Sequence, residues 1–263
     1  MDYGFREPII DETHWLQGKI NSPILQPNSQ WDEFLPVDEF QKHGSLETEN
    51  CTGFAALNTI ETMEYRLTGK KPNYSDRWIG TLAGTIQGGN DPHTVFEAAR
   101  KKGLVPEEML PFDETITTIT EYYSAYRADK NALIVEAKKW LDSYDLYHEW
   151  LFTRAGENQK LIVETLKYSP IAASALAWVM ENGVFVKPNP GGSNHLVEIY
   201  GCSPSQYFTV LDTYDNTRKK LAWNYKFDCA KKISLIKRTE PRQKDTFFER
   251  IKKLITNDNG YGL

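Results

Sequence analysis

Cys51-Thr-Gly-Phe-Ala-Ala-Leu-Asn-Thr-Ile-Glu-Thr-Met-Glu-Tyr-Arg-Leu67 is the stretch on which the reading of this chain turns. Its apolar residues recur at helical spacing, with Phe54, Leu57 and Ile60, or Met63 and Leu67, on one side. Asn50 stands where an N-cap belongs and Gly69 follows the end. Thr52, Gly53, Ala55 and Ala56 are small enough for the head of this helix to pack deep in a core. A cysteine in the first turn lies beside unsatisfied N–H groups and the positive end of the helix dipole, both of which stabilise a thiolate. Alone, such a cysteine is more commonly inert and buried. A partner elsewhere in the chain has to change that reading.

The partner lies downstream, in Pro190-Gly-Gly-Ser-Asn-His195-Leu-Val-Glu-Ile-Tyr-Gly201, a glycine-rich loop running into a strand with His195 at the boundary. One turn later comes Tyr207-Phe-Thr-Val-Leu-Asp212-Thr-Tyr-Asp, a strand ending in a carboxylate able to orient an imidazole through Nδ1–H. Thiol, imidazole and orienter thus follow in order, which is the set that nucleophilic acyl transfer needs.

Around these segments the periodicity predicts helices over 91–102, most of 115–150 and 159–168. Leu133, Ala137, Trp140, Leu141 and Tyr144 form one stripe. Short β-prone segments follow at 171–179, 194–200, 207–212, 219–223 and 232–237. Helices first and strands later predict an α+β protein. Residues 1–50 are broken by Pro8, Pro23, Pro27 and Pro36, so 1–27 reads as a strap laid over a domain of residues 28–237. Residues 238–263 read as a basic C-terminal helix and tail, with Phe247, Ile251, Leu254 and Ile255 facing inward.

Composition narrows the classes. A net charge of -5 gives no nucleic-acid footprint over the body. Three cysteines without C-x-x-C spacing make neither a disulfide framework nor a structural zinc site. The longest apolar stretch, 171–180, is too short to cross a bilayer, and no signal peptide is visible. The expectation is a soluble protein, cytoplasmic in the producing cell or incorporated in a virion, with no membrane or nucleic-acid partner.

The chain resembles the papain-like cysteine peptidases. Their nucleophile motif, C-W-A-F or the bacterial C-T-x-x-A, matches Cys51-Thr-Gly-Phe-Ala-Ala; their N-H-A-V and G-Y-G elements match Asn194-His195-Leu-Val and Tyr200-Gly201. Asp212-Thr213-Tyr214 stands for N-S-W, Gly88-Gly89 for the glycine pair, Leu110-Pro-Phe112 for Y-P-Y, and Trp31-Asp-Glu-Phe-Leu-Pro for the D-W-R region. The resemblance implies a papain-like fold, with a central helix carrying the cysteine packed against a twisted antiparallel sheet. It also implies a cysteine peptidase that cleaves a protein or peptide through a Cys51–His195–Asp212 triad and a thioester acyl-enzyme, without cofactor or metal. Asn194 and Tyr214 would support the triad, Tyr214 as an aromatic lid. Gly88, Gly89 and Trp178 would line the substrate cleft.

In the family a glutamine six residues before the nucleophile completes the oxyanion hole with the cysteine N–H. Ser45 stands there, and the nearest preceding glutamine is Gln41. Either a longer loop over 44–49 lets Gln41 pair with the Cys51 N–H, or the donor is missing. Glu47-Thr48 and Phe54-Ala-Ala-Leu-Asn58 follow the style of bacteriophage-encoded members. That style implies a phage origin and an alternative role, a weak or inactive module bound to phage structural proteins. Glu198, three residues after His195 and so on the opposite face of its strand, reads as a solvated acid, as does Glu49. His14, His43, His93 and His148 read as surface or capping residues.

Overall fold

The computed structural model describes residues 3–11, 14–16, 24–124, 129–188, 191–215 and 217–240. The expected helix at 244–256 lies outside the described residues. Among the described residues six α-helices precede or interrupt one large sheet: α1 (Cys51–Thr68), α2 (Asp76–Ala83), α3 (Pro92–Lys102), α4 (Ile119–Ser124), α5 (Lys130–Ser143) and α6 (Gln159–Leu166). A two-stranded hairpin, β1 (Lys42–His43) and β2 (Leu46–Glu47), stands before α1. The sheet contains β3 (Tyr144–Phe152), β4 (Ile171–Ala175), β5 (Val179–Glu181), β6 (Val184–Val186), β7 (His195–Ser203), β8 (Tyr207–Asp212), β9 (Thr217–Ala222) and β10 (Ala230–Lys237). Its order is β3-β10-β4-β7-β8-β9-β6-β5, antiparallel except for the β6–β9 pair. The α+β architecture with a cysteine-bearing central helix is therefore as the sequence predicts.

Helix α1 is enclosed on every side from Cys51 to Glu64. It packs on α2 and α3 and across β4, β7 and β10. One apolar stripe would suffice for a surface helix; here the polar positions are buried too, and each needs a partner. Glu61 accepts the Tyr74 N–H at 2.6 Å. The Glu64 carboxylate accepts from the Tyr74 hydroxyl at 2.8 Å, the Tyr144 hydroxyl at 3.1 Å and Trp140 Nε1 at 3.3 Å. These bonds tie α1 to α5 and to the start of β3. Asn50 does not cap α1 as expected. Its Nδ2 donates to the Asp76 carbonyl at 2.9 Å, fastening α1 to α2 instead. Gly69, in the left-handed region, ends the helix as read from the sequence.

The helical reading of 115–150 fails at its end. Helix α5 stops at Ser143, and 144–152 is a strand paired with β10 along its whole length. The aromatic run Tyr147-His148-Glu149-Trp150 suits a strand, and an open β10 edge supplies backbone partners that a longer helix would leave unmet. Helix α2 escaped the sequence reading, although Ser75 caps it by accepting the Trp78 N–H at 3.1 Å.

Glu198 corrects a second expectation. Its face of β7 meets α1, not water, and the residue is fully buried. Its carboxyl oxygens make no well-formed hydrogen bond among the described residues, although the Thr62 hydroxyl faces them. Burial pushes its pKa up to about 8. An unfolded glutamate ionises near 4.3, so the unfolded chain gives up this proton first and folding loses stability as pH rises from about 4.5 to about 8. Glu198→Gln is expected to stabilise the protein by about 2 kcal/mol or more at pH 8 and by almost nothing at pH 4. Urea unfolding of both proteins at the two pH values checks this; an equal difference at both would refute the assignment of a neutral buried acid.

Candidate active site

Two walls meet at the head of α1. On one side stands the turn before α1 with Gln41, Glu47 and Glu49; on the other, β7 and β8 deliver His195 and Asp212. Cys51, His195 and Asp212 are all buried. His195 Nε2 lies 2.8 Å from Asp212 Oδ1, so the orienter takes Nε2 and not the expected Nδ1. Nδ1 is left without a well-formed hydrogen bond. Asp212 Oδ1 also accepts the Tyr214 N–H at 3.1 Å. Burial would raise the Asp212 pKa, but the hydrogen bond and charge of His195, with the Lys219 ammonium, hold it well below the usual carboxylate range.

Residues 3–6 run between these walls. The Tyr3 N–H donates to the Asn194 carbonyl at 3.2 Å, and the Tyr3 carbonyl accepts from Gln41 Nε2 at 3.3 Å. The Tyr3 ring tilts against His195 at 5.1 Å between centroids and meets Tyr214 edge-on at 4.6 Å. Trp178 approaches His195 from another side at 5.8 Å. The aromatic cover that was expected of Tyr214 thus comes from Tyr3 and Trp178. Beyond Tyr3, Asn90 donates to the Gly4 carbonyl at 2.9 Å, the Arg6 N–H donates to the Asn90 carbonyl at 2.8 Å, and Arg6 Nε donates to Gly88 O at 3.0 Å. Residues 3–6 of the expected strap therefore lie in the cleft lined by Gly88 and Gly89, with Phe5 as a parallel bridge to Asn90. The buried Phe5 also borders a separate cavity of about 360 Å³, bounded by Glu7, Ser193, Asp228 and Cys229.

The hairpin β1–β2 explains the displaced glutamine. It inserts between Gln41 and the helix, so that Gln41 sits ten positions before Cys51 yet reaches the cleft. Gln41 is held from three directions. Its N–H donates to Thr213 O at 3.0 Å, its Oε1 accepts the Thr213 hydroxyl at 3.3 Å, and its Nε2 donates to Glu47 Oε1 at 2.8 Å. Burial raises the Glu47 pKa, against the Gln41 and Glu49 N–H bonds. Glu49, expected in solvent, is half-buried and accepts the Gly88 N–H.

The contacts of Tyr3, Glu47, Thr213 and Lys219 have no signal in the sequence: Glu47 and Thr213 stand within quoted motifs and Tyr3 and Lys219 do not, yet each reaches the site only through a tertiary contact. The histidines also depart from expectation. His148 is buried with Nε2 2.9 Å from Glu97 Oε1, and burial lowers its pKa to about 3. His93 stacks on His14 at 3.5 Å. His43 stacks on Phe112 at 3.7 Å. Met180 is exposed on the edge hairpin. Carboxylate oxygens of Glu39, Asp76 and Glu107 converge within 4.8 Å of one another beneath the 38–43 segment. Burial, reinforced by their mutual repulsion, raises Asp76 well above its ordinary value and Glu107 to about 8.

No protein-family model matches the chain, and no curated protein matches its sequence. Solved structures do match. Xylellain, a cysteine protease from Xylella fastidiosa, aligns at TM-score 0.60 and 15% identity, over 89% of this chain and 96% of its own. Bromelain from Ananas comosus, in complex with the E64 inhibitor, aligns at TM-score 0.57 and 16% identity, over 76% and 95%. Digestive procathepsin L 3 of Tenebrio molitor larval midgut aligns at TM-score 0.53 and 13% identity, over 84% and 75%. The fold is papain-like. Among the described residues, no helix is long and apolar enough to cross a membrane.

The strap fits its groove through glycines that admit no side chain. Gly4 has φ +92°, and a Cβ there would lie 1.9 Å from the Glu49 carbonyl oxygen; a Cβ on Gly89 would lie 1.7 Å from Gly4 O. Gly4→Ala therefore displaces residues 3–6 from the cleft. A strain of about 1.4 kcal/mol or more is a tenfold change in the open population. Alkylation of Cys51 by a small thiol reagent, followed by mass, should quicken by about tenfold or more in Gly4→Ala. An unchanged rate would mean that residues 3–6 do not limit access to the thiol.

Proposed function

We propose that the protein is a cysteine peptidase. The observation that carries the reading is the strap itself. A stretch of peptide lies in the cleft, its carbonyl on the Gln41 amide and its N–H on Asn194, flanked by the Cys51 helix and the His195–Asp212 pair. A groove that binds backbone in this way suits a peptide substrate.

In this reading Cys51 attacks the scissile carbonyl as a thiolate, and His195 holds the thiol proton. The C–N bond remains while the carbonyl oxygen becomes an oxyanion, which the Cys51 N–H and Gln41 Nε2 stabilise. Collapse breaks the C–N bond, His195 gives its proton to the leaving amine, and a thioester acyl-enzyme remains. Water, deprotonated by His195, then releases the acid and restores the thiol. Asp212 fixes the imidazole through Nε2, which leaves Nδ1 for the sulfur and the amine. Residues 3–6 compete with substrate, so the full chain is slow until they leave.

The second reading is a weak or inactive papain-like module bound to phage structural proteins. The filled cleft and the Glu47 carboxylate beside Gln41 favour it; a carboxylate there opposes an oxyanion. Its phage element rests on the sequence resemblance alone.

The test is alkylation of Cys51 between pH 4 and 9 in the parent, His195→Ala and Gly4→Ala proteins, with hydrolysis of an unstructured protein measured in parallel. Alkylation well below pH 8 that is lost without His195, together with hydrolysis enhanced in Gly4→Ala, is expected. Labelling that rises only near the ordinary thiol pKa of about 8.5, indifferent to His195, would favour the module. In the Gly4→Ala background, where residues 3–6 no longer limit access, Gln41→Ala should cut hydrolysis by about a hundredfold while leaving Cys51 alkylation nearly unchanged.

A further inference from the structure

Asp212 has a second partner that no motif announces. In the β8–β9 ladder Asp212 pairs with Thr217 and Val210 with Lys219, so Asp212 and Lys219 are diagonal neighbours on one face of the sheet. Lys219 Nζ lies 2.7 Å from Asp212 Oδ2, and its side chain is only 4% exposed. The same ammonium meets the Asp215 carboxylate and stands 5.4 Å over the Trp178 ring and 5.6 Å over Phe185. The aspartate is thus divided, with Oδ1 toward His195 Nε2 and Oδ2 toward Lys219.

This division bears on the reaction. A lone buried carboxylate 2.8 Å from an imidazole favours the imidazolium strongly. Under the proposed mechanism the imidazole must also surrender its proton to the leaving amine, and an acid held too tightly is a poor donor. A cation on the far oxygen withdraws charge from the near one. The carboxylate then acts toward His195 as a nearly neutral acceptor, closer to an amide.

We infer that Lys219 is a positioning residue of the proposed peptidase reaction, which moderates the hold of Asp212 on the His195 proton and fixes the carboxylate plane for Nε2. This inference rests on the peptidase reading for its consequence, though its physical core is the charge state of one imidazole. Other titratable groups face the same ring: Glu47 and Tyr3 act on it from β2 and the strap, Tyr214 and Asp215 stand in the β8–β9 turn, and Cys51 heads the helix packed against β7. Lys219 is the one cation among these groups that touches the orienter.

The test uses the full chain in five forms: parent, Lys219→Met, Lys219→Arg, Asp212→Asn and Asp212→Asn with Lys219→Met. The His195 Cε1–H resonance and Cys51 alkylation are both followed from pH 4 to 10. In Lys219→Met the His195 titration midpoint and the alkaline limb of alkylation should rise by about two pH units, as expected for a unit charge some 5–7 Å away at an effective dielectric near 20. Lys219→Arg, which keeps the charge, should follow the parent. Asp212→Asn alone removes the carboxylate between the buried ammonium and the imidazole, leaving Lys219 to Asp215, and should suppress low-pH alkylation most; the double variant should recover toward the parent. The inference fails if Lys219→Met moves neither profile, if Lys219→Arg shifts as far as Lys219→Met, or if the double variant shows no recovery over Asp212→Asn. A parent whose Cys51 is not activated defeats the peptidase reading separately, because the His195 resonance still reports on Lys219.

Discussion

Everything in this molecule is arranged around a helix with no solvent face. From Cys51 to Glu64 every residue of α1 is enclosed, which places the helix N-terminus, and the thiol on it, at the bottom of a cleft and not on a surface. Burial on all sides leaves the polar residues of α1 in need of partners: Thr59 bonds back to the Ala55 carbonyl, and the two acids draw theirs from outside the helix. Hence Glu64 gathers Tyr74, Trp140 and Tyr144, and Glu61 takes a backbone N–H. These partners come from three later elements of the chain, so the position of the thiol is set by the assembly of the whole domain. Glu198 faces the same interface with poor hydrogen bonding and is kept neutral by its surroundings, and the Thr52 and Thr62 hydroxyls and Asn58 Nδ2 of α1 likewise make no well-formed hydrogen bond among the described residues.

The cleft at the head of α1 has a dual character. Its walls present carbonyl acceptors and amide donors in a row, at Asn194, Gln41 and Asn90, and a strand of the chain's own N-terminal region uses them. The same geometry that would bind a substrate backbone therefore also closes the site. The closure depends on the absence of side chains, since Gly4 and Gly89 approach backbone atoms more closely than any Cβ allows.

Electrostatically the site is a chain of paired charges and not a single triad. His195, Asp212, Lys219 and Asp215 follow one another at hydrogen-bond distance. Each addition tempers the one before it, so the properties of the imidazole depend on a lysine two contacts away. On the other wall Glu47 and Thr213 hold Gln41, so the position of this amide, too, is set by tertiary contacts.

Local pattern made a great deal legible. The helical period and end signals around Cys51, the glycine-rich entry to His195 and the strand ending at Asp212 fixed the α+β class and the order of the three central residues. Those features are properties of contiguous segments, and contiguous segments carry their own periodicity and turn chemistry. What only the tertiary structure decided are matters of which surfaces meet. Residues 144–152 became a strand because β10 offered an unpaired edge; Glu198 became a core acid because α1 covers that face of β7. The strap entered the cleft, the hairpin carried Gln41 across an apparent gap in spacing, and Lys219 reached Asp212 diagonally across a ladder. Tertiary contacts of this kind leave no period in the sequence, since the partners, whether seven residues apart like Asp212 and Lys219 or far more, are brought together only once the chain has folded.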